Sequence, residues 1–130
     1  MSVDANQPPA PRGVLLTTNV LFSSMVTGTA SAQGHQVAVA ENLAEALDLC
    51  RDRPCNYVIV DLGMSELSMQ SAVSQLRALT GPIPMIAFGS HIDKERLDEA
   101  RAAGCDEVMP RSKFSAELPA LLRRCCSNVV

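Results

Sequence analysis

Tryptophan is absent from this 130-residue chain, tyrosine occurs once and phenylalanine three times. No glycine-rich run follows the first apolar stretch, so a flavin would find neither a stacking platform nor a phosphate loop. Lysine, arginine, aspartate and glutamate are all missing from residues 13–40, a gap that suggests a secretory signal, and Ala30-Ser31-Ala32 imitates its cleavage site. A signal requires a continuous apolar core of about 7 residues or more. Here Thr17-Thr18-Asn19 splits Val14-Leu15-Leu16 from Val20-Leu21-Phe22, so neither a signal nor a membrane span fits. A cytoplasmic protein with no membrane partner is expected. The G-x-S-x-G pattern of hydrolases is also missing, and His35 and His91 have no nucleophile partner by pattern. Each reads as a solvated loop or strand-edge residue. The five cysteines are odd in number and include no C-x-x-C pair, which argues against a disulfide framework or a zinc site. They read as reduced thiols acting as small buried hydrophobes. A net charge of −3 offers no surface for nucleic acid, so none is expected among the partners.

What is present is enough apolar material for one core, 47% of the chain. Residues 1–12, with Pro8, Pro9 and Pro11 and few large apolar groups, read as a disordered leader. Residues 13–126 form a single domain, and residues 127–130 are a tail. Val14-Leu15-Leu16 is a first buried strand, after which Asn19 caps a helix burying Leu21, Phe22, Met25, Val26 and Thr29 and stopped by Gly34. The outer face of that helix carries no charge. Gln36-Val37-Ala38-Val39-Ala40 is a second strand. Asn42 and Glu45 form a capping box for a helix with Leu43, Ala46, Leu47 and Cys50 on one face, ended by Pro54. Tyr57-Val58-Ile59-Val60 is a third strand, buried on both sides. Ser65 is the expected cap of a third helix carrying Met69, Ala72, Val73 and Leu76 inward. After Gly81-Pro82-Ile83-Pro84 comes a fourth strand, Met85-Ile86-Ala87-Phe88. Asp93 caps a charged fourth helix closed by Gly104, and Glu107-Val108-Met109 is a short fifth strand. A last helix buries Leu118, Leu121, Leu122 and Cys125, with Pro119 expected in its first turn. Strands alternating with helices predict an α/β, flavodoxin-like (βα)5 doubly wound parallel sheet in the order 2-1-3-4-5.

In such a sheet the functional crevice lies beyond the carboxyl ends of the strands. That rim collects Asp61, where the third strand breaks off at a carboxylate, with Thr17, Thr18, Asn19, Gly89, Ser90 and Arg111. One carboxylate, one guanidinium and several hydroxyls make a site-like set.

Over residues 13–124 the chain resembles the receiver domain of bacterial response regulators. The matching pieces are Val58-Ile59-Val60-Asp61-Leu62-Gly63-Met64, Gly34-His35-Gln36-Val37 and Gly104-Cys105-Asp106-Glu107. The resemblance implies that Asp61 stands at the phospho-acceptor position. It also implies departures. Receivers end the first strand with an acidic pair that binds Mg²⁺, and this chain has Thr17-Thr18 there. The Thr or Ser ending the fourth strand matches Gly89, with Ser90 next to it; the responsive aromatic matches Val108, and the Lys matches Arg111, with Lys113 nearby. Phosphoryl transfer depends on metal and positioned charge to stabilise the phosphate. With Asp61 alone, Mg²⁺ would bind weakly if at all, no other cofactor is expected, and Arg111 is expected to pair with Asp61 instead.

The resulting expectation is a stand-alone receiver-like signalling module of a two-component or phosphorelay-type system, not an enzyme, acting by protein contacts without the usual Mg²⁺-dependent phosphorylation. The alternatives are a genuine phospho-acceptor using Asp61 and, third, a small enzyme or cofactor carrier on the same fold. The partners implied are a histidine kinase, a phosphotransfer or regulatory protein, and a second copy in a homodimer. The expected interaction face comprises Lys94, Glu95, Asp98 and Arg101 on the fourth helix with Lys113, Arg123 and Arg124 on the last.

Overall fold

The computed structural model describes residues 10–127. Its elements alternate as β1 (Arg12–Leu16), α1 (Val20–Ala32), β2 (Gln36–Ala40), α2 (Leu43–Asp52), β3 (Tyr57–Asp61), α3 (Met69–Thr80), β4 (Met85–Gly89), α4 (Lys94–Ala103), β5 (Glu107–Pro110) and α5 (Arg111–Ser127). All strand pairs are parallel, in the order β2-β1-β3-β4-β5. This is the order predicted from the alternation of elements.

Both faces of the sheet are covered, and the period of two along each strand divides the core. Val14, Leu16, Val58, Val60, Met85 and Ala87 pack beneath α2, α3 and α4. The alternate residues Leu15, Tyr57, Ile59, Ile86 and Phe88 pack beneath α1 and α5, where the Phe88 ring stacks on Phe114 at 4.3 Å. Helix ends follow local chemistry. Asn19, Asn42 and Asp93 accept from the backbone as N-caps, and Glu45 reaches back to accept the Glu41 N–H, one residue before the Asn42 cap. Gly104 adopts φ +105 to end α4, a left-handed conformation that glycine takes without steric cost.

Leu21, expected on the inward face of α1, is 81% exposed, and four further placements differ from expectation. The cap of α3 is Ser68 rather than Ser65, because a turn from Leu67 N–H to the Met64 carbonyl first buries Leu67 in the core. Pro119 lies inside α5 instead of in its first turn. It is exposed, and so is Ser115, whose carbonyl loses the proline N–H and is left open to water. Of the leader, only Ala10, Pro11 and Arg12 are described, and Arg12 is already the first, buried residue of β1. Its guanidinium donates to the carbonyls of Leu49 and Arg53 at the end of α2, both at 3.0 Å. Of the tail only Ser127, the last residue of α5, is described.

His35 is the fourth. It is 6% exposed, and its Nε2 lies 2.8 Å from the buried Tyr57 hydroxyl. Burial holds the imidazole below its ordinary value of 6.5. The unfolded chain therefore takes up a proton that the folded protein resists, so this contribution to stability is full above 6.5 and falls as the pH drops below it. The difference in unfolding free energy between the wild type and His35→Gln should shrink as urea titrations are repeated at progressively lower pH. A difference independent of pH would mean that His35 titrates as freely as in the unfolded chain.

Candidate functional site

The register that pairs Leu16 of β1 with Val60 of β3 brings Thr17 beside Asp61 at the carboxyl rim. Asp61 is 4% exposed and Thr17 1%. The Thr17 hydroxyl donates to Asp61 Oδ2 at 2.7 Å, and the Gly63 N–H donates to Oδ1 at 2.8 Å. Thr17 Oγ1 in turn accepts from the Asn19 N–H at 3.0 Å. Each oxygen of the carboxylate thus has a donor, and the hydroxyl is fixed from both sides. A buried anion needs this kind of satisfaction.

Arg111 does not supply it. No ion pair joins Asp61 and Arg111 among the described residues; the guanidinium carbon stands 5.8 Å over the Phe22 ring instead. The two groups flank the space that Gly63 leaves open: a Cβ there would stand 2.8 Å from Arg111 Nη2 and 3.0 Å from Asp61 Oδ1, so the guanidinium stands near the carboxylate without pairing with it. The expected Asp–Arg pair is replaced by a Thr–Asp–Gly cluster, because the nearer neutral donors already occupy the carboxylate.

The remaining rim residues divide. Asn19 is spent as the cap of α1, its Oδ1 accepting from the Phe22 N–H at 3.1 Å. Thr18 is exposed and lines an open groove of about 610 Å³ with Glu41, Gly63, Ser65 and Glu66. Gly89 ends β4 with no side chain, and Leu62 fills the space over it: an added Cβ would stand 2.9 Å from Leu62 Cβ. Ser90 is half-buried, with Oγ 3.4 Å from the Ile92 N–H. Val108 is also half-buried, packed at the margin of the core under α3 and α4.

Arg96, which belongs to none of the sequence motifs, holds the loop after Asp61. Its Nε and Nη2 donate to the carbonyls of Leu62 at 3.2 Å and Met64 at 2.7 Å, while Nη1 meets Glu99 Oε2 at 2.6 Å. Glu99 also accepts from the Met69 N–H, the first of α3. α4 thereby brackets the loop that follows Asp61. The available signal was the i,i+3 spacing of Arg96 and Glu99 beside the inward Leu97.

On the expected interaction face, Lys94, Glu95, Asp98, Arg101, Lys113 and Arg123 are exposed. Arg101 pairs with Asp98 on its own helix, and Arg124 is bonded twice to Glu107 of β5, at 2.8 and 3.0 Å. Such exposed pairs contribute little to stability.

The rim offers one carboxylate among its donors. Hard divalent cations use carboxylates plus carbonyl or water oxygens. Asp61 has hydroxyl-bearing neighbours in place of further acids, and the Thr17 hydrogen bond occupies the oxygen that faces them. No group of three or more His, Cys, Asp or Glu able to hold a metal occurs among the described residues.

Comparison with known proteins matches a model of the response regulator receiver domain to residues 18–123. Sensor histidine kinase AruS of Pseudomonas aeruginosa is 31% identical over 126 residues, which is 90% of this chain and 13% of the kinase. Transcriptional regulatory protein KdpE of Mycobacterium tuberculosis is 31% identical over 99 residues, 72% of this chain and 43% of that protein. The chain therefore spans less than half the length of these relatives. Among solved structures, a response regulator from Hahella chejuensis superposes with a TM-score of 0.79 at 16% identity, covering 92% of this chain and 97% of that one. The receiver domain of a Pseudomonas aeruginosa sensor histidine kinase, solved with a magnesium ion in its active-site cleft, gives 0.76 at 17% identity, covering 92% and 100%.

Proposed function

This chain belongs to the response regulator receiver domain family, and from that premise we propose that it works through protein contacts without the usual Mg²⁺-dependent phosphorylation of Asp61. The observation that carries the reading is the Thr17 hydroxyl bound to the buried Asp61 carboxylate where the receiver pattern has an acidic pair. Phosphoryl transfer asks the protein for positioned positive charge around the phosphate oxygens. Here the carboxylate is hydrogen-bonded shut and Arg111 is turned onto Phe22. Leu62 over Gly89 supports the same reading, since it fills the place where the pattern has a switching hydroxyl.

Its role is that of a signalling module, not an enzyme, and it needs no cofactor. A histidine kinase, a phosphotransfer protein or a regulatory protein fits as partner, since the relatives named above include a sensor histidine kinase and a transcriptional regulatory protein. The exposed charges of α4 and α5 give such a partner, or a second copy, a face to read. A cytoplasmic setting goes with this role, and no helix among the described residues is long and apolar enough to cross a membrane.

Acetyl phosphate with Mg²⁺ should leave the intact mass unchanged under conditions that phosphorylate a receiver carrying the acidic pair. A stoichiometric phosphoryl adduct that disappears in Asp61→Ala would overturn this reading in favour of Asp61 as a working phospho-acceptor.

A further inference from the structure

The far end of the sheet from Asp61 carries a second chemical grouping. Cys50, in the last turn of α2, and Cys55, in the segment leading to β3, place their sulfurs 4.0 Å apart. All five cysteines are free thiols. Arg12 holds the surrounding backbone, donating to the carbonyls of Leu49 and Arg53 on either side of Cys50, while the Asn56 N–H donates to the Arg12 carbonyl at 2.7 Å. Cys55 lines a groove of about 600 Å³ with Arg12, His35, Asn56 and Cys126, and Cys50, 7% exposed, lies behind it.

We propose that Cys50 and Cys55 form a reversible peroxide-responsive thiol–disulfide site. Close approach, a fixed backbone and an open groove together distinguish this pair from the other thiols. The hydrogen bond that the two thiols share and the Arg12 guanidinium lower Cys50 against burial, while the same bond and burial raise Cys55. Burial raises Cys105 to about 11 and Cys125 to about 12, and it raises Cys126 as well. The thiolate is the nucleophile; Cys50 takes that part here, and the balance is the same with the two sulfurs exchanged. The Cys50 sulfur attacks the O–O bond of hydrogen peroxide; the S–O bond forms, the O–O bond breaks, and hydroxide leaves. Cys55 sulfur then attacks the sulfenic sulfur of Cys50. The S–S bond forms, the S–O bond breaks, and the departing hydroxide takes the Cys55 proton to leave as water. Two thiols are oxidised by two electrons, and one peroxide is reduced to two waters. The sulfurs close from 4.0 Å to about 2 Å, a movement within the reach of side-chain rotation. The link ties the end of α2 to the start of β3 and leaves Asp61, at the opposite end of that strand, untouched.

The test treats the full chain with one equivalent of hydrogen peroxide, blocks remaining thiols with iodoacetamide and maps the tryptic peptides. Cleavage after Arg51 separates the two cysteines, while Pro54 protects the bond after Arg53. The expected product is a peptide pair joined through Cys50 and Cys55, with two hydrogens lost from the intact mass and full recovery in dithiothreitol. The link should vanish in Cys50→Ser and in Cys55→Ser and survive in Cys125→Ser/Cys126→Ser. Alkylation of all five thiols after peroxide, a link through any other cysteine, or irreversible oxidation without a link would each overturn the assignment. Because the map is read on the unsubstituted protein, it holds even if a serine variant folds poorly.

Discussion

Thr17→Val is expected to destabilise the fold by roughly 3 kcal/mol, the upper part of the range for stranding a buried polar partner, because the group stranded here is a charge. The valine preserves shape but removes the donor to Asp61 Oδ2 and the acceptor of the Asn19 N–H. With Asp61 4% exposed, water has little access to replace the lost donor. Asp61→Asn should be far milder. Its amide oxygen keeps the Gly63 N–H and its NH₂ donates to the second lone pair of Thr17 Oγ1, so no charge is stranded and only the Thr17 hydroxyl proton loses its acceptor. Urea unfolding of both single variants and the double variant gives the coupling, and Thr17→Ser should recover most of the loss. Arg111→Ala supplies the contrast. Since Arg111 does not pair with Asp61, its removal should stay within about 0.5 kcal/mol of the wild type. A neutral Thr17→Val beside a damaging Arg111→Ala would restore the ion pair as the organising interaction of the rim.

Installing the hydroxyl residue that the receiver pattern places at the end of β4 should also weaken this protein. Gly89→Thr puts a Cβ 2.9 Å from Leu62 Cβ and 3.2 Å from Leu62 Cδ1, with Leu62 itself 3% exposed. The nearest obstacle sits on the backbone rather than at a flexible tip. Leu62 is held there by its own N–H to the Phe88 carbonyl at 2.8 Å and by Arg96 on its carbonyl. Overpacking of this kind costs about 1–3 kcal/mol. In a Leu62→Ala background the Cδ1 and Cγ obstacles are gone, and the cost of Gly89→Thr should fall. Thermal unfolding of the four proteins of this cycle measures it. Equal costs in the two backgrounds would show that the Cγ and Cδ1 atoms of Leu62 are not what opposes a side chain at the switch position.

Both expectations rest on contacts that local sequence patterns do not encode. The strands were legible because β-rich apolar runs buried on both faces have few other solutions. Most helix starts were legible for a similar reason: a cap binds an N–H only three residues away, as Asn19, Asn42 and Asp93 do. Where a local rule failed, a distant group had intervened. The burial of Leu67 moved the start of α3 from Ser65 to Ser68. His35 reads as a solvated residue until α1, β2 and β3 bring the Tyr57 hydroxyl to its ring. Cys50 and Cys55 read as two buried hydrophobes until the end of α2 turns their sulfurs toward one another.

The rim shows the division most plainly. Sequence alone determined that Asp61 ends a buried strand, that Thr17, Thr18, Gly89 and Arg111 stand at the ends of neighbouring ones, and that the strands run parallel in the order 2-1-3-4-5. Only the tertiary structure decided which of them holds the carboxylate. That outcome is a competition between donors brought together from separate elements, and distance and prior commitments settle it. The Thr17 hydroxyl reaches Asp61 at 2.7 Å directly across the register of β1 and β3. Arg111 has a longer reach and a full charge, but it stops short of the carboxylate, across the space that Gly63 leaves open, and the Phe22 ring offers its guanidinium another seat. Charge complementarity can be read along a chain; which partner arrives first, and with its own hydrogen bonds already satisfied, is fixed only when the elements pack.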